Sequence, residues 1–283
     1  MDEPGREEKL HRAIKQIAGE AGTKAVAVTV QDFESDFRFS LAGERIFHAA
    51  STIKVAILLA LFTGVDVGRF RLSDPLHVRN RFLSALDGTP FRLDPESDGF
   101  PQLYRRVGRT AKIADLAESM IIWSSNLSTN LLLDYIGSEY AGEVLRAAGV
   151  SGVSLRRGVD DLRAYERRMY NETTAEGLVQ LFAALRGDFL SRPSRERVIH
   201  ILLEQKFASM LPAGLPAHAT VAHKTGEIST ACHDAGIVYL PEREPYIVAI
   251  LTEVEPEKNG ARETVRKISE AVYHAVTGKA ASR

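Results

Sequence analysis

The chain has 283 residues, 45% hydrophobic and 26% charged, which is ordinary globular composition and enough for one large domain or two intertwined lobes. Its 36 basic and 37 acidic residues nearly cancel, which argues against nucleic acid as a partner. The single Cys232 excludes an internal disulfide and a multi-cysteine metal site. In chain order, "REEKLHRAIKQIAGEAG" spaces Leu10, Ile14 and Ile17 at helical intervals and stops at a glycine, which predicts a helix. "KAVAVTVQDF" alternates Val26, Val28 and Val30 as a strand does, and "FRFSLAGERIF" reads as its hairpin partner. From Thr52 to about Arg186 the pattern is mainly helical with polar loops. Strand signals return only late, in "ATVAHKTG", "HDAGIVYL" and "PYIVAILTEV", before a last amphipathic helix, "ARETVRKISEAVYHAV". This order predicts an α+β fold: an antiparallel sheet built from both chain ends and flanked by helices, with an inserted all-helical lobe. The expected division is an α/β lobe from 1–51 and 195–283 and a helical lobe from 52–194. A cleft between the lobes would suit a small-molecule substrate.

The longest apolar run, Val55 to Phe62, falls far short of the roughly 20 residues a membrane span needs, so it reads as a buried helix. The opening "MDEPGREEKLHRAI" has neither a basic n-region nor an apolar h-region. The expectation is a cytoplasmic protein as encoded, or a periplasmic or secreted one if the sequence starts after a removed signal. Eight histidines are present, but no H-x-x-x-H pair marks a helix face, so no metal and no cofactor are expected. A monomer is expected.

Three short motifs carry chemistry. Ser51-Thr52-Ile53-Lys54 puts a hydroxyl at the start of an apolar helix with an amine one turn further on. A serine attacks poorly until a base takes its proton, and a lysine is such a base only if burial or a helix N-terminus lowers its pKa. The plainer alternative is a serine N-cap followed by a solvated lysine. In "WSSNLSTN", Ser124-Ser125-Asn126 is one S-x-N and Ser128-Thr129-Asn130 another; both also suit helix capping. His223-Lys224-Thr225-Gly226 offers a cation and a hydroxyl to an anionic substrate, with a glycine for close backbone approach, although lysine also protects edge strands.

Each motif is weak alone, but S-x-x-K, S-x-N and K-T-G in this order form the set of class A β-lactamases and penicillin-binding proteins. The chain resembles the class A serine β-lactamase family over most of its length, from about Lys24 to the final helix. The resemblance implies an acyl-serine enzyme in which Ser51 is the nucleophile and Lys54 its general base. Ser124 passes a proton to the lactam nitrogen, and Asn126 holds the substrate's acyl amide. Asn130 matches a second family asparagine, which favours the Ser124 register over Ser128. Lys224, Thr225 and Gly226 would bind the substrate carboxylate and its surroundings. The N–H groups of Ser51 and Glu227 would form the oxyanion hole. Glu166, in "ERRMY", matches the glutamate of an E-x-x-L-N loop and is expected to activate the deacylating water. Asp160, Asp161 and Glu172 are secondary candidates for that base on the same loop.

Four departures bear on this. Ser125 stands where the family has a buried aspartate, Glu227 replaces a small residue, and Cys232 takes the place of a carboxylate-binding arginine. The loop after Glu166 is short, and Arg167 and Arg168 could turn the carboxylate away. Two alternatives therefore stand beside a β-lactamase. One is a serine peptidase or esterase with little lactamase turnover; the other is a binding or sensor domain that penicillins acylate.

Overall fold

A computed structural model describes residues 5–256 and 260–278. The strands of the main sheet are β1 (Ala25–Asp32), β2 (Arg38–Leu41), β3 (Thr220–Ile228), β4 (Ala231–Tyr239) and β5 (Tyr246–Glu253). They hydrogen-bond in the order β2-β1-β5-β4-β3, and every neighbour is antiparallel. The central pair joins the two ends of the chain, with Ala25 opposite Glu253 and Asp32 opposite Tyr246.

Strand alternation sorts the side chains into two cores. Val28, Val30, Val248 and Ile250 meet α1 (Arg6–Glu20) and α9 (Ala261–Thr277) on one face, through Leu10, Ile14, Ile268 and Val272. Ala27, Ala222, Ala235, Ile237, Ala249 and Leu251 face the other way, into a larger core shared with the middle of the chain. Residues of even number on β3 take that second face, so Lys224 and Gly226 follow Ala222 toward the helices. The lysine of the third motif is thereby a buried residue and not an edge guard.

At the centre of the larger core runs α2 (Lys54–Asp66), buried on every side from Lys54 to Phe62. A helix without a polar face has to be enclosed. It is wrapped by α3 (Ile113–Ile122), α4 (Asn126–Ile136), α5 (Ser138–Ala147), α7 (Ala175–Arg186) and α8 (Arg192–Leu203). The short α6 (Leu162–Glu166) sits on the loop between α5 and α7. The inserted segment is not purely helical. Pro75–His77 pairs with Thr110–Lys112, and Phe82–Leu83 pairs with Pro90–Phe91. These pairs lie in the polar stretch between α2 and α3, where no apolar period signalled them. A further pair, Phe47–His48 with Glu172–Thr173, ties the segment before α2 to the loop before α7. Thr174 caps α7 by accepting the Gly177 N–H. No described helix is long and apolar enough to cross a membrane.

Candidate active site

The segment leading into α2 is fixed before its helix begins. Ala49 N–H donates to the Asn171 carbonyl, and Ala50 N–H donates to His48 Nδ1. His233, from β4, donates through Nε2 to the His48 carbonyl and accepts the Thr252 N–H at Nδ1. With Nδ1 of each imidazole accepting and both rings largely buried, both histidines are held neutral. Burial, the first cause in each case, pushes their pKa values down to about 4. The anchored chain then places Ala50 at φ +46°, a strained value for a residue with a Cβ. A 3-10 turn, Ala50–Ile53, carries Ser51 and runs directly into α2.

Ser51 is half-buried and borders two cavities that share it with Asn126 and Glu227. One, of ≈ 300 Å³, extends toward Arg157, Asp160, Leu162 and Tyr165. The other, of ≈ 330 Å³, extends toward Ser124, Thr225, Trp123, Phe207 and Arg262. A substrate reacting at Ser51 would therefore have space on both sides of the reacting bond.

Behind the serine, Lys54 is fully buried and donates from Nζ to the Ser124 carbonyl (2.7 Å), Ser124 Oγ (3.1 Å) and Asn126 Oδ1 (2.7 Å). Burial lowers its pKa to about 8, against the opposing charges of Asp98 and Asp160. Lys224, equally buried, donates to Ser124 Oγ at 3.0 Å and to the Thr225 carbonyl. Burial, and then the positive charge of Lys54, lower its pKa well below the ordinary lysine value, with Asp234 opposing. A hydroxyl oxygen has two lone pairs. With both amines donating to Ser124 Oγ, its own hydrogen is left to point elsewhere, available to a leaving group in the cleft. Ser124 is held there at φ +57°, a second strained residue.

Ser125 caps α4 by accepting the Ser128 N–H. The aspartate that the sequence lacks at this position is supplied from another segment. Asp98 Oδ2 accepts from the Leu127 N–H, Tyr104 Oη and Ser125 Oγ, and Oδ1 accepts from the Phe100 N–H. Ser128, the alternative register, is buried against Ser119 and does not reach the lysines.

Gly226 lies against the nucleophile turn. A Cβ there would stand 2.9 Å from Thr52 Cγ2, 3.0 Å from the Thr52 nitrogen and 3.1 Å from the Ser51 nitrogen, so only glycine lets the strand approach this closely. Glu227 does not leave a bare negative charge at the cleft. Arg262, at the start of α9, grips its carboxylate through Nε and Nη2. Arg262 lines the same cavity as Ser124 and Thr225, where position 232 offers no cation. Cys232 is buried against Met210, and burial pushes its thiol up to about 12.

Glu166 does not join this group. It ends α6 with its side chain exposed, and it lines neither cavity. Its placement therefore lends no support to the expectation that it activates the deacylating water. The residues of this loop that do face the cleft come earlier, at Asp160, Asp161 and Leu162, and at Tyr165. Sequence reasoning missed Asp98 and Arg262 because nothing local marks them: each meets its motif only through the fold.

A serine at a helix start, backed by two buried amines and a second hydroxyl, on a five-stranded sheet with an inserted helical half, defines a serine hydrolase that works through an acyl-enzyme. The chain belongs to the class A serine β-lactamase family: the model of the beta-lactamase enzyme family matches residues 9–276. A beta-lactamase of Streptomyces fradiae is 26% identical over 241 residues, covering 82% of this chain and 76% of that one. A mutant of PBP-A, solved as its acyl-enzyme complex with penicillin G, superposes with a TM-score of 0.82 at 27% identity, covering 96% of this chain and 97% of the other. The ancestral class A β-lactamase GNCA gives 0.81 at 26% identity, covering 96% of this chain and all of its own, 100%.

Proposed function

We propose that the protein hydrolyses β-lactams through an ester on Ser51. The observation that carries this reading is the meeting of Lys54 and Lys224 on Ser124 Oγ, at 3.1 and 3.0 Å, beside the cleft that Ser51 borders. In this reading the neutral amine of Lys54 takes the Ser51 proton as Oγ bonds to the lactam carbonyl carbon. The oxyanion is held by the N–H groups of Ser51 and Glu227. Ser124 gives its hydrogen to the lactam nitrogen as the C–N bond breaks, and the proton on Lys54 replaces it. Asn126 offers its amide to the acyl side chain. Lys224, Thr225 and Arg262 receive the substrate carboxylate, with Gly226 permitting the approach.

A second reading, a penicillin-acylated protein with slow release, is favoured by one observation: Glu166 lies outside the cleft. A chromogenic cephalosporin assay, run beside intact-protein mass spectrometry after penicillin treatment, separates the two. Fast colour without a lasting adduct supports the hydrolase; a stable adduct without turnover supports the slow-release protein. Ser51→Ala is expected to abolish acylation, and covalent labelling that persists in that variant would refute the nucleophile assignment.

A further inference from the structure

If Glu166 is turned away, an acyl-Ser51 ester needs another group to activate water. Three carboxylates border the cavity between Ser51 and the loop: Asp160, Asp161 and Glu227. Asp161 is spent. It is buried, with Oδ1 accepting from Ser84 Oγ and the Ala164 N–H and Oδ2 accepting from the Ala85 N–H. Glu227 is held by both donors of Arg262. Asp160 remains. It is exposed to the cleft, and its Oδ2 accepts from Asn126 Nδ2 at 2.7 Å, while Asn126 Oδ1 accepts from Lys54.

Its placement is built, not incidental. Asp160 adopts φ +57°, a conformation that aspartate tolerates better than most residues but that the surroundings must still enforce. The enforcement comes from buried Asn130, whose Oδ1 accepts the Val159 N–H and whose Nδ2 donates to the Val159 carbonyl, clamping the peptide just before Asp160. Gly158 lets that clamp close, since a Cβ there would stand 2.8 Å from Asn130 Oδ1. The negative charge of Asp160 is near enough to oppose the effect of burial on Lys54.

We propose that Asp160 is the carboxylate that removes a proton from the water hydrolysing the acyl-Ser51 ester, an inference that rests on the acyl-serine reading above. As the water oxygen bonds to the ester carbonyl carbon, its proton passes to Asp160. The C–Oγ bond then breaks, the proton passes to Ser51 Oγ, and the product leaves as a carboxylic acid that ionises in solvent. Serine and carboxylate are thereby restored.

The test follows penicillin G turnover in the full chain, with acylation and deacylation resolved by stopped flow and by intact mass. Asp160→Asn should acylate Ser51 within a few-fold of the wild-type rate and release the product about 100-fold more slowly or worse, so that the adduct accumulates. Glu166→Gln should turn over like the wild type. Asp160→Gly, which relieves the strained backbone, should deacylate slowly and be accelerated by added formate, a response that a merely structural role would not give. The inference is overturned if Asp160→Asn turns over normally, if Glu166→Gln is the variant that traps the adduct, or if formate leaves the slow glycine variant unchanged. A wild type that is acylated but never released also overturns it, while the acylation reading stands. A wild type that is never acylated removes that reading itself.

Discussion

At neutral pH an ordinary lysine is an acid, and a lysine meant to accept the serine proton must lose that character. Burial does this for Lys54, bringing it to about 8. Acylation is therefore expected to rise with pH and level off above about 8, measured as the single-turnover rate with a chromogenic substrate across pH 6–10. Stability should carry the same signature with a definite sign. Between about 8 and about 10.4 the unfolded chain holds a proton that folded Lys54 has lost, so stability rises with pH across that window and gains nothing from this residue below it. The full effect is on the order of 3 kcal/mol for the shift in Lys54, and Lys54→Met should reduce the rise of the urea midpoint across the window, leaving the part that buried Lys224 contributes. The three motifs, Ser51-Lys54, Ser124-Asn126 and Lys224-Gly226, were legible at this scale, and the fold brings Lys54 and Lys224 together on Ser124 Oγ. The position of Glu166 was not. A glutamate in a short loop reads alike whether the chain brings it inward or past the site, and only the path through α6 decides.

Among the elements, the start of α4 depends on a residue outside it. The first N–H groups of a helix have no partner within it. Here Ser125 satisfies one and Asp98 another, at Leu127. Asp98 also fixes the Tyr104 hydroxyl, which burial and then this carboxylate keep protonated. Asp98→Ala would leave several buried donors unpaired and should cost about 3 kcal/mol in a denaturant melt, whereas Asp98→Asn, which keeps an acceptor, should cost much less. The same loss loosens Ser124 and Asn126 and should slow acylation. The exchange of a local aspartate for a distant one explains why the S-S-N motif looked incomplete. The terminal helices, the apolar α2 and the five sheet strands were legible because apolar period and length reported them; α8, past the stretch that read as helical, was not. The short pairs at Pro75–His77 and Phe82–Leu83 were not, because two or three residues carry no period.

Across the whole molecule, the site forms where β3 presses on the turn before α2. Gly226 sets that separation, and its missing side chain is filled by the backbone of Ser51 and Thr52. Gly226→Ala should push strand and turn apart, costing about 1–3 kcal/mol in stability. The rate loss should be larger in proportion, roughly tenfold or more in acylation, because reacting groups tolerate little displacement. Parallel denaturation and stopped-flow measurements check both parts. That two halves of a site should meet across a lobe boundary was readable from the order of the motifs. The cation at Arg262 was not, since α9 showed only its amphipathic face in the sequence.

The pairing of β1 with β5 also governs how the molecule comes into being. During synthesis the first long strand emerges early, yet its inner neighbour is the last strand made, more than two hundred residues on. The nucleophile waits through that interval without Lys224, Gly226 or Arg262 beside it. Contacts so distant along the chain close slowly. A nascent chain carries the reactive serine before any of these groups, so the site is completed only across the stretch from Lys224 to Arg262.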